Sequence, residues 1–305
     1  MTPHDEQAVD TALNVLRAGG LVAIPTETVY GLAADASNEA AVRRIFAAKG
    51  RPADHPLIVH IADAAMLGDW ADHISPAAAT LADACWPGPL TLLVPRAERV
   101  LDVVTGGRPT VGVRVPAHPL TTELLHRFGG GLAAPSANRF GRVSPTTAQH
   151  VRRDLGDDVD FILDGGACPI GVESTIVDCS VDPPQILRPG GIPSEQIEAL
   201  LDGRVAGASG PSRTSGMLAS HYAPKCAVFL AADEHELAAL RAEHRDAAVI
   251  GDGTDPLEYA RHLYDWLRAA DDAHQQALIA VLPAQRGLGH AIRDRLFKAA
   301  AARVD

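Results

Sequence analysis

The sequence predicts an α/β fold in two parts, and three observations carry that expectation. Over the first two hundred of its 305 residues, short apolar strands alternate irregularly with amphipathic helices, as in a mixed sheet. Beyond residue 225 the order turns regular, β-α-β-α-β-α, which argues for a small parallel sheet with helical crossovers. Between them, residues 203–224 are dominated by Gly, Ser, Ala, Pro and Thr and read as a linker. The expected boundaries are 1–203 for the first domain, 204–224 for the linker and 225–305 for the second domain.

Asp10 to Ala18 carries apolar residues at helical spacing and stops at Gly19-Gly20. Leu21 to Ile24 is a buried strand, ended by Pro25, which removes a ladder donor. Thr26, Glu27, Thr28 and Tyr30 follow within six residues, and Gly31 gives the chain room to turn. Asn38 caps a helix to Ala48, with Val42, Ile45 and Phe46 on one face. Leu57–Ile61 is a strand whose alternation sets Ile58 and His60 opposite Leu57, Val59 and Ile61. A helix from Pro76 to Cys85 and strands Leu90–Val94 and Thr110–Val115 come next. Then follow a helix His118–Phe128, a short strand Leu132–Ala134 and a helix Thr147–Leu155. Phe161–Asp164, Ser174–Asp178 and Gln185–Arg188 are further strands, and Pro193–Leu201 is the last helix of this part. In the second part, strands begin at Ala227, Ala247 and Ala277, with helices at about 234–244, 257–270 and 289–301 between and after them.

Composition narrows the function. Hydrophobic residues at 47% and charged residues at 21% are those of a soluble globular protein, and no apolar run approaches membrane-spanning length. The polar, acidic start carries no signal or transit peptide pattern, so the expectation is a cytoplasmic protein with no membrane contact. A net charge of −11 argues against coating nucleic acid through bulk electrostatics. The four cysteines show neither Cys-x-x-Cys spacing nor a histidine cluster, so no structural metal is expected. Only three lysines stand beside 24 arginines, which marks Lys49 as a residue placed for its own shape.

Walker, Gly-x-Ser-x-Gly and His-Glu-x-x-His motifs are absent, and Gly287-Leu288-Gly289 lacks the third glycine of a dinucleotide fingerprint. What the chain carries instead is polar groups at strand ends. Lys49-Gly50-Arg51-Pro52 suits a polyphosphate, with the lysine as a point charge and the arginine as a fork; a solvated helix C-terminus fits equally. Thr110, Gly112 and Arg114 share one strand face, where the glycine leaves a gap between a hydroxyl and a guanidinium about 13 Å apart. Arg114 could grip a carboxylate, or belong to a charged outer face. Pro135-Ser136-Ala137-Asn138, Ser144-Pro145-Thr146, Glu173-Ser174-Thr175 and Arg188-Pro189-Gly190 repeat the arrangement, each of which alone is ordinary turn chemistry. Together they suit a pocket that positions a nucleotide and a small acid, with the substrate supplying the nucleophile. A lone strand histidine such as His60 is usually structural.

Pro25-Thr26-Glu27-Thr28-Val29-Tyr30-Gly31-Leu32, Lys49-Gly50-Arg51-Pro52, Pro135-Ser136-Ala137-Asn138 and Leu187-Arg188-Pro189-Gly190 resemble, in this order, the signature set of the YrdC/Sua5 family of threonylcarbamoyl-AMP synthases. Ser215-Gly216-Met217, Ser220-His221-Tyr222-Ala223-Pro224 and the second part resemble the longer Sua5 form. The resemblance implies a YrdC-like twisted open mixed sheet with a large cavity, plus a small C-terminal Rossmann-like domain. It implies a nucleotidyltransferase that makes threonylcarbamoyl-adenylate and pyrophosphate from L-threonine, bicarbonate and ATP, assisted by Mg²⁺, for the t6A modification of tRNA. Carried over by motif, Thr28, His60, Arg114, Ala134 and Ser174 would line the threonine side. Arg51, His55, Thr110, Ser136, Ser144, Arg188 and Tyr222 would line the ATP side. Lys49 and Arg51 would act on the phosphates, and Tyr222 would close as part of a lid. His55 stands where the family commonly has Asn, and Ser215 where it often has Pro. The product would pass to the tRNA threonylcarbamoyl transferase machinery; an RNA contact is secondary at best. A carbamoyl-adenylating hydrogenase-maturation factor is the rival reading, but its zinc-finger cysteine pairs are missing here.

Overall fold

Helix formation starts at the first described residue in the computed structural model, which describes residues 2–207 and 222–301. The Thr2 hydroxyl accepts from the Asp5 amide while the Asp5 carboxylate accepts from Thr2, a capping box that starts α1 (Pro3–Arg17) seven residues ahead of the apolar periodicity. The next elements are β1 (Val22–Ile24), β2 (Gly31–Asp35), α2 (Glu39–Lys49), β3 (Ile58–His60), α3 (Pro76–Cys85), β4 (Leu90–Pro95) and α4 (Asp102–Thr105). They are followed by β5 (Thr110–Arg114), α5 (Pro119–Phe128), β6 (Leu132–Ala133), α6 (Ala148–Leu155), β7 (Phe161–Ile162), β8 (Thr175–Asp178), β9 (Gln185–Arg188), α7 (Ser194–Leu200) and β10 (Ala206–Gly207).

The ten strands form one mixed sheet in the order β10-β9-β8-β4-β5-β3-β6-β2-β1-β7. Helices cover both faces. Val42, Ile45 and Phe46 of α2 and Leu81 of α3 pack into one core, while Leu13 and Leu16 of α1 and Leu124 of α5 pack into the other. Gly31 is the clearest departure from the sequence pattern. Rather than turning the chain toward a helix, it opens β2, which folds back on β1 with Ile24 opposite Gly31. Residues 25–30 are thus the loop of a hairpin. The run Gly-Leu-Ala-Ala-Asp has little β-propensity, and its strand conformation comes from pairing on both sides, with β1 and with β6.

The sheet continues to Gly207, past the expected start of the linker, because Ala206 and Gly207 pair with Gln185 and Ile186. Residues 208–221, which include the Ser215-Gly216-Met217 motif, lie outside the described residues. The last part holds β11 (Ala227–Ala231), α8 (Glu234–Glu243), β12 (Ala248–Ile250), α9 (Pro256–Asp272), β13 (Ala277–Val281) and α10 (Gly289–Ala300). Its three strands are all parallel, in the order β11-β13-β12. One apolar cluster runs from Tyr259, Leu263 and Tyr264 of α9 to Val29, Val143 and Val172 of the first part. The parallel unit therefore packs against the hairpin loop and the turns beside it.

Candidate active site

The hairpin loop is held by its own hydroxyls and by neighbouring turns. Thr26 Oγ1 accepts from the amides of Thr28 (3.1 Å) and Val29 (3.2 Å), a short side-chain turn that rigidifies the loop. The Leu32 amide donates to Pro135 O, the Ala137 amide to Tyr30 O and the Tyr30 amide to Pro145 O, so the Ser136 and Ser144 turns are fastened to the loop. Tyr30 points away from the resulting hollow: its hydroxyl donates to Gly166 O at 2.8 Å and accepts from the Gly165 amide, so it braces that turn.

A cavity opens between the loop, the sheet and the last part of the chain. Thr28, His60, Arg114, Ala134 and Ser174, the five residues expected to face an amino acid, are in its lining. Arg51, Ser136, Arg188 and Tyr222, four of those expected to face ATP, line the same cavity. Four expected residues stay out of the lining. Lys49 lies beneath the wall, its buried ammonium donating to Ser136 O and Asn138 O at 2.5 Å each. Burial, and next to it the Arg51 charge, pull that ammonium well below lysine's ordinary value. Ser144 donates to Glu173 Oε1 at 2.7 Å. His55 packs edge-on to Phe140, and Thr110 is half-buried at the start of β5. Gly112 is not in the lining of the cavity either, and a Cβ there would make ordinary contacts, with Thr91 Cγ2 at 3.4 Å and Ile58 Cγ1 at 3.5 Å.

Among the residues expected to face an amino acid, the parallel pairing of β3 and β5 sets His60 opposite Arg114. Burial, and then the Arg114 charge, lower His60 to about 3, so its ring is neutral at physiological pH. Its Nδ1 is buried without a hydrogen-bond partner among the described residues. Arg114 Nε donates to Gly88 O at 3.2 Å, and its Nη2 lies 2.7 Å from Glu27 Oε1. Arg188 donates to the Ser174 carbonyl (2.8 Å) and hydroxyl (3.1 Å), and that hydroxyl shares a hydrogen bond with Thr91. Arg51 donates to Pro56 O at 3.0 Å with its guanidinium 5.7 Å from the centre of the Phe140 ring; burial lowers it to about 10.

Glu173 also lines the cavity, and motif reading passed it over. Its carboxylate accepts from Ser144, from Tyr264 (2.7 Å) and from Arg295 Nε (2.8 Å), the last two from α9 and α10. Burial alone would raise this carboxyl, but the Arg295 and Arg188 guanidiniums and the Ser144 hydroxyl outweigh it and hold it down at about 2. The same arginine lies 5.3 Å from the centre of the Tyr222 ring, and that ring stacks on Tyr264. Nothing local in the sequence signals this contact, because its partners are 91 and 122 residues away.

Comparison with known proteins fits this geometry. The sequence profile of Sua5, YciO and YrdC proteins, described as "Telomere recombination", matches residues 14–190. The chain belongs to this family. A second profile, described as "Threonylcarbamoyl-AMP synthase, C-terminal domain", matches residues 192–301, so this member is of the Sua5 kind. The threonylcarbamoyl-AMP synthase of Pyrococcus abyssi is 41% identical over 98% of this chain and 96% of its own length. That of Bacillus subtilis is 39% identical over 100% of this chain and 96% of its own. The crystal structure of P. abyssi Sua5 complexed with L-threonine superposes with a TM-score of 0.92 at 40% identity, covering 97% of this chain and 94% of the other.

Proposed function

We propose that this chain forms threonylcarbamoyl-AMP and pyrophosphate from L-threonine, bicarbonate and ATP. The observation that supports the reading is that Thr28, His60, Arg114, Arg51, Ser136 and Arg188 line one cavity together. Relatives named for this activity, matched over nearly the whole chain, support it.

In this reading Arg114 holds the threonine carboxylate, and Thr28, neutral His60 and Ser174 take the remaining polar groups. The free amine attacks the carbon of bicarbonate, water leaves, and a carbamate forms. A carbamate oxygen then attacks the α-phosphorus in line, and pyrophosphate departs. Arg51, Arg188 and Ser136 hold the phosphates, with Tyr222 beside them. Lys49 adds charge from beneath the Ser136–Asn138 turn, and Thr110, His55 and Ser144 act from further out. Residues 1–203 supply the catalytic walls, and residues 225–305 hold Tyr222 and Glu173 in place from across the linker.

Among the described residues no group of three His, Cys, Asp or Glu side chains is placed to hold a metal. The two carboxylates nearest the cavity are committed, Glu27 to Arg114 and the Ala117 amide, Glu173 to Arg295 and Tyr264. In this reading Mg²⁺ comes with the nucleotide, where it would neutralise phosphate charge. No helix among the described residues is long and apolar enough to cross a membrane. The reading puts the reaction in the cytoplasm, upstream of a tRNA threonylcarbamoyl transferase. RNA is no primary ligand at a net charge of −11.

Pyrophosphate release by the purified chain tests this. Release should require threonine, bicarbonate and ATP together. Release indifferent to threonine refutes the assignment, and release that needs carbamoyl phosphate favours the carbamoyl-adenylating alternative.

A further inference from the structure

We propose that Glu27 is a positioning residue that fixes the Arg114 guanidinium for the carboxylate of the amino-acid substrate. The inference rests on the reading of the cavity as a threonine site and adds a residue to it.

Glu27 does not line the cavity; it stands behind Arg114, in the hairpin loop. Both side chains are buried, at 7% and 5% exposure. A buried ion pair costs much of its Coulombic gain in desolvation, so this one is poor at adding stability and good at fixing geometry. Its geometry is tied at every end. Glu27 Oε2 accepts from the Ala117 amide at 3.0 Å, and the Glu27 carbonyl accepts from the Ile170 amide at 2.9 Å. Arg114 is held on its Nε edge by Gly88 O and at Nη2 by Glu27 Oε1. A guanidinium pinned at two points cannot rotate, and its remaining face is turned to the cavity. At 2.7 Å, the Glu27–Arg114 contact still lacks the alignment of a full hydrogen bond at either atom, so Nη2 keeps donor capacity for a ligand oxygen.

Glutamine at this position has the same size but cannot satisfy both neighbours. The Ala117 amide and Arg114 are both donors, so whichever way the amide group faces, one of them meets an NH₂. In steady-state pyrophosphate release, Glu27→Gln should raise the threonine KM about tenfold while kcat and the ATP KM stay within about twofold. Combined with Arg114→Ala, it should add nothing further to the threonine KM, because Glu27 acts through that arginine. Thermal unfolding of each variant separates this from general loss of structure. An unchanged or lowered threonine KM, equal rises for threonine and ATP, or a Glu27→Gln effect that persists without Arg114 would each overturn the proposal. Wild-type release that ignores threonine refutes the site reading itself, together with this inference; threonine-dependent release with an unaffected variant overturns the inference alone.

Discussion

Arg114, which lines the cavity, is a buried guanidinium held by backbone and carboxylate rather than a mobile surface charge. In the proposed reading it holds the threonine carboxylate, and removing it would delete charge-assisted hydrogen bonds worth about 1.5–3 kcal/mol. Arg114→Ala should therefore raise the threonine KM roughly ten- to hundredfold and the ATP KM far less, as measured by pyrophosphate release at varied concentrations of each. Equal effects on both substrates would remove Arg114 from the amino-acid side. At this scale the sequence was informative wherever a residue type is rare or its setting unusual. Arg114 ends a strand, and Lys49 is one of three lysines. Lys49 was legible as special but not as buried: only the folded chain brings Ser136 O and Asn138 O onto its ammonium.

Strands and turns place these groups, and their tolerances are narrow where backbones meet. Gly190, just past β9, packs directly against the backbone beneath Ser174. A Cβ there would lie 2.3 Å from Ser174 C and 2.4 Å from both Glu173 O and Thr175 N. None of these backbone atoms can yield cheaply. Gly190→Ala should displace the Glu173–Ser174 segment, lower the unfolding free energy by at least about 2 kcal/mol, and depress activity even in the folded fraction. Urea denaturation read beside activity per folded molecule checks this; a neutral result would mean that the turn has slack. Helices and long strands were legible from periodicity and from caps such as Asn38. β2 was not, because Gly-Leu-Ala-Ala-Asp has no strand pattern of its own, and its partners β1 and β6 impose the conformation. The role of Gly31 as the start of a hairpin arm was hidden for the same reason.

At the scale of the whole molecule, Glu173 joins the mixed sheet to the parallel unit. Its carboxyl is depressed to about 2 in the folded state, against 4.5 as its ordinary value. A depressed carboxyl contributes stability that is fully present above pH 4.5 and is lost as pH falls toward 2. Arg295→Ala leaves this carboxylate buried and undercompensated, at a cost of about 3–5 kcal/mol at neutral pH. The loss of stability between pH 4.5 and 2 should then be shallower than in the wild type, as a pH series of urea midpoints would reveal. An acid limb as steep as the wild type's would show that other carboxyls dominate it. The regular β-α alternation of the last part was legible in the sequence and appears as the three-stranded parallel sheet. The contact between the parts was not, since pairing at such separations leaves no local periodicity to read.

The same separation orders events during synthesis. Glu173 emerges from the ribosome 91 residues before Tyr264 and 122 before Arg295. Until they follow, the nascent mixed sheet carries an acidic group at its cavity with neither of these two partners to quiet it. The buried contacts that tie the mixed sheet to the parallel unit through Glu173 can therefore close only after α9 and α10 have been made.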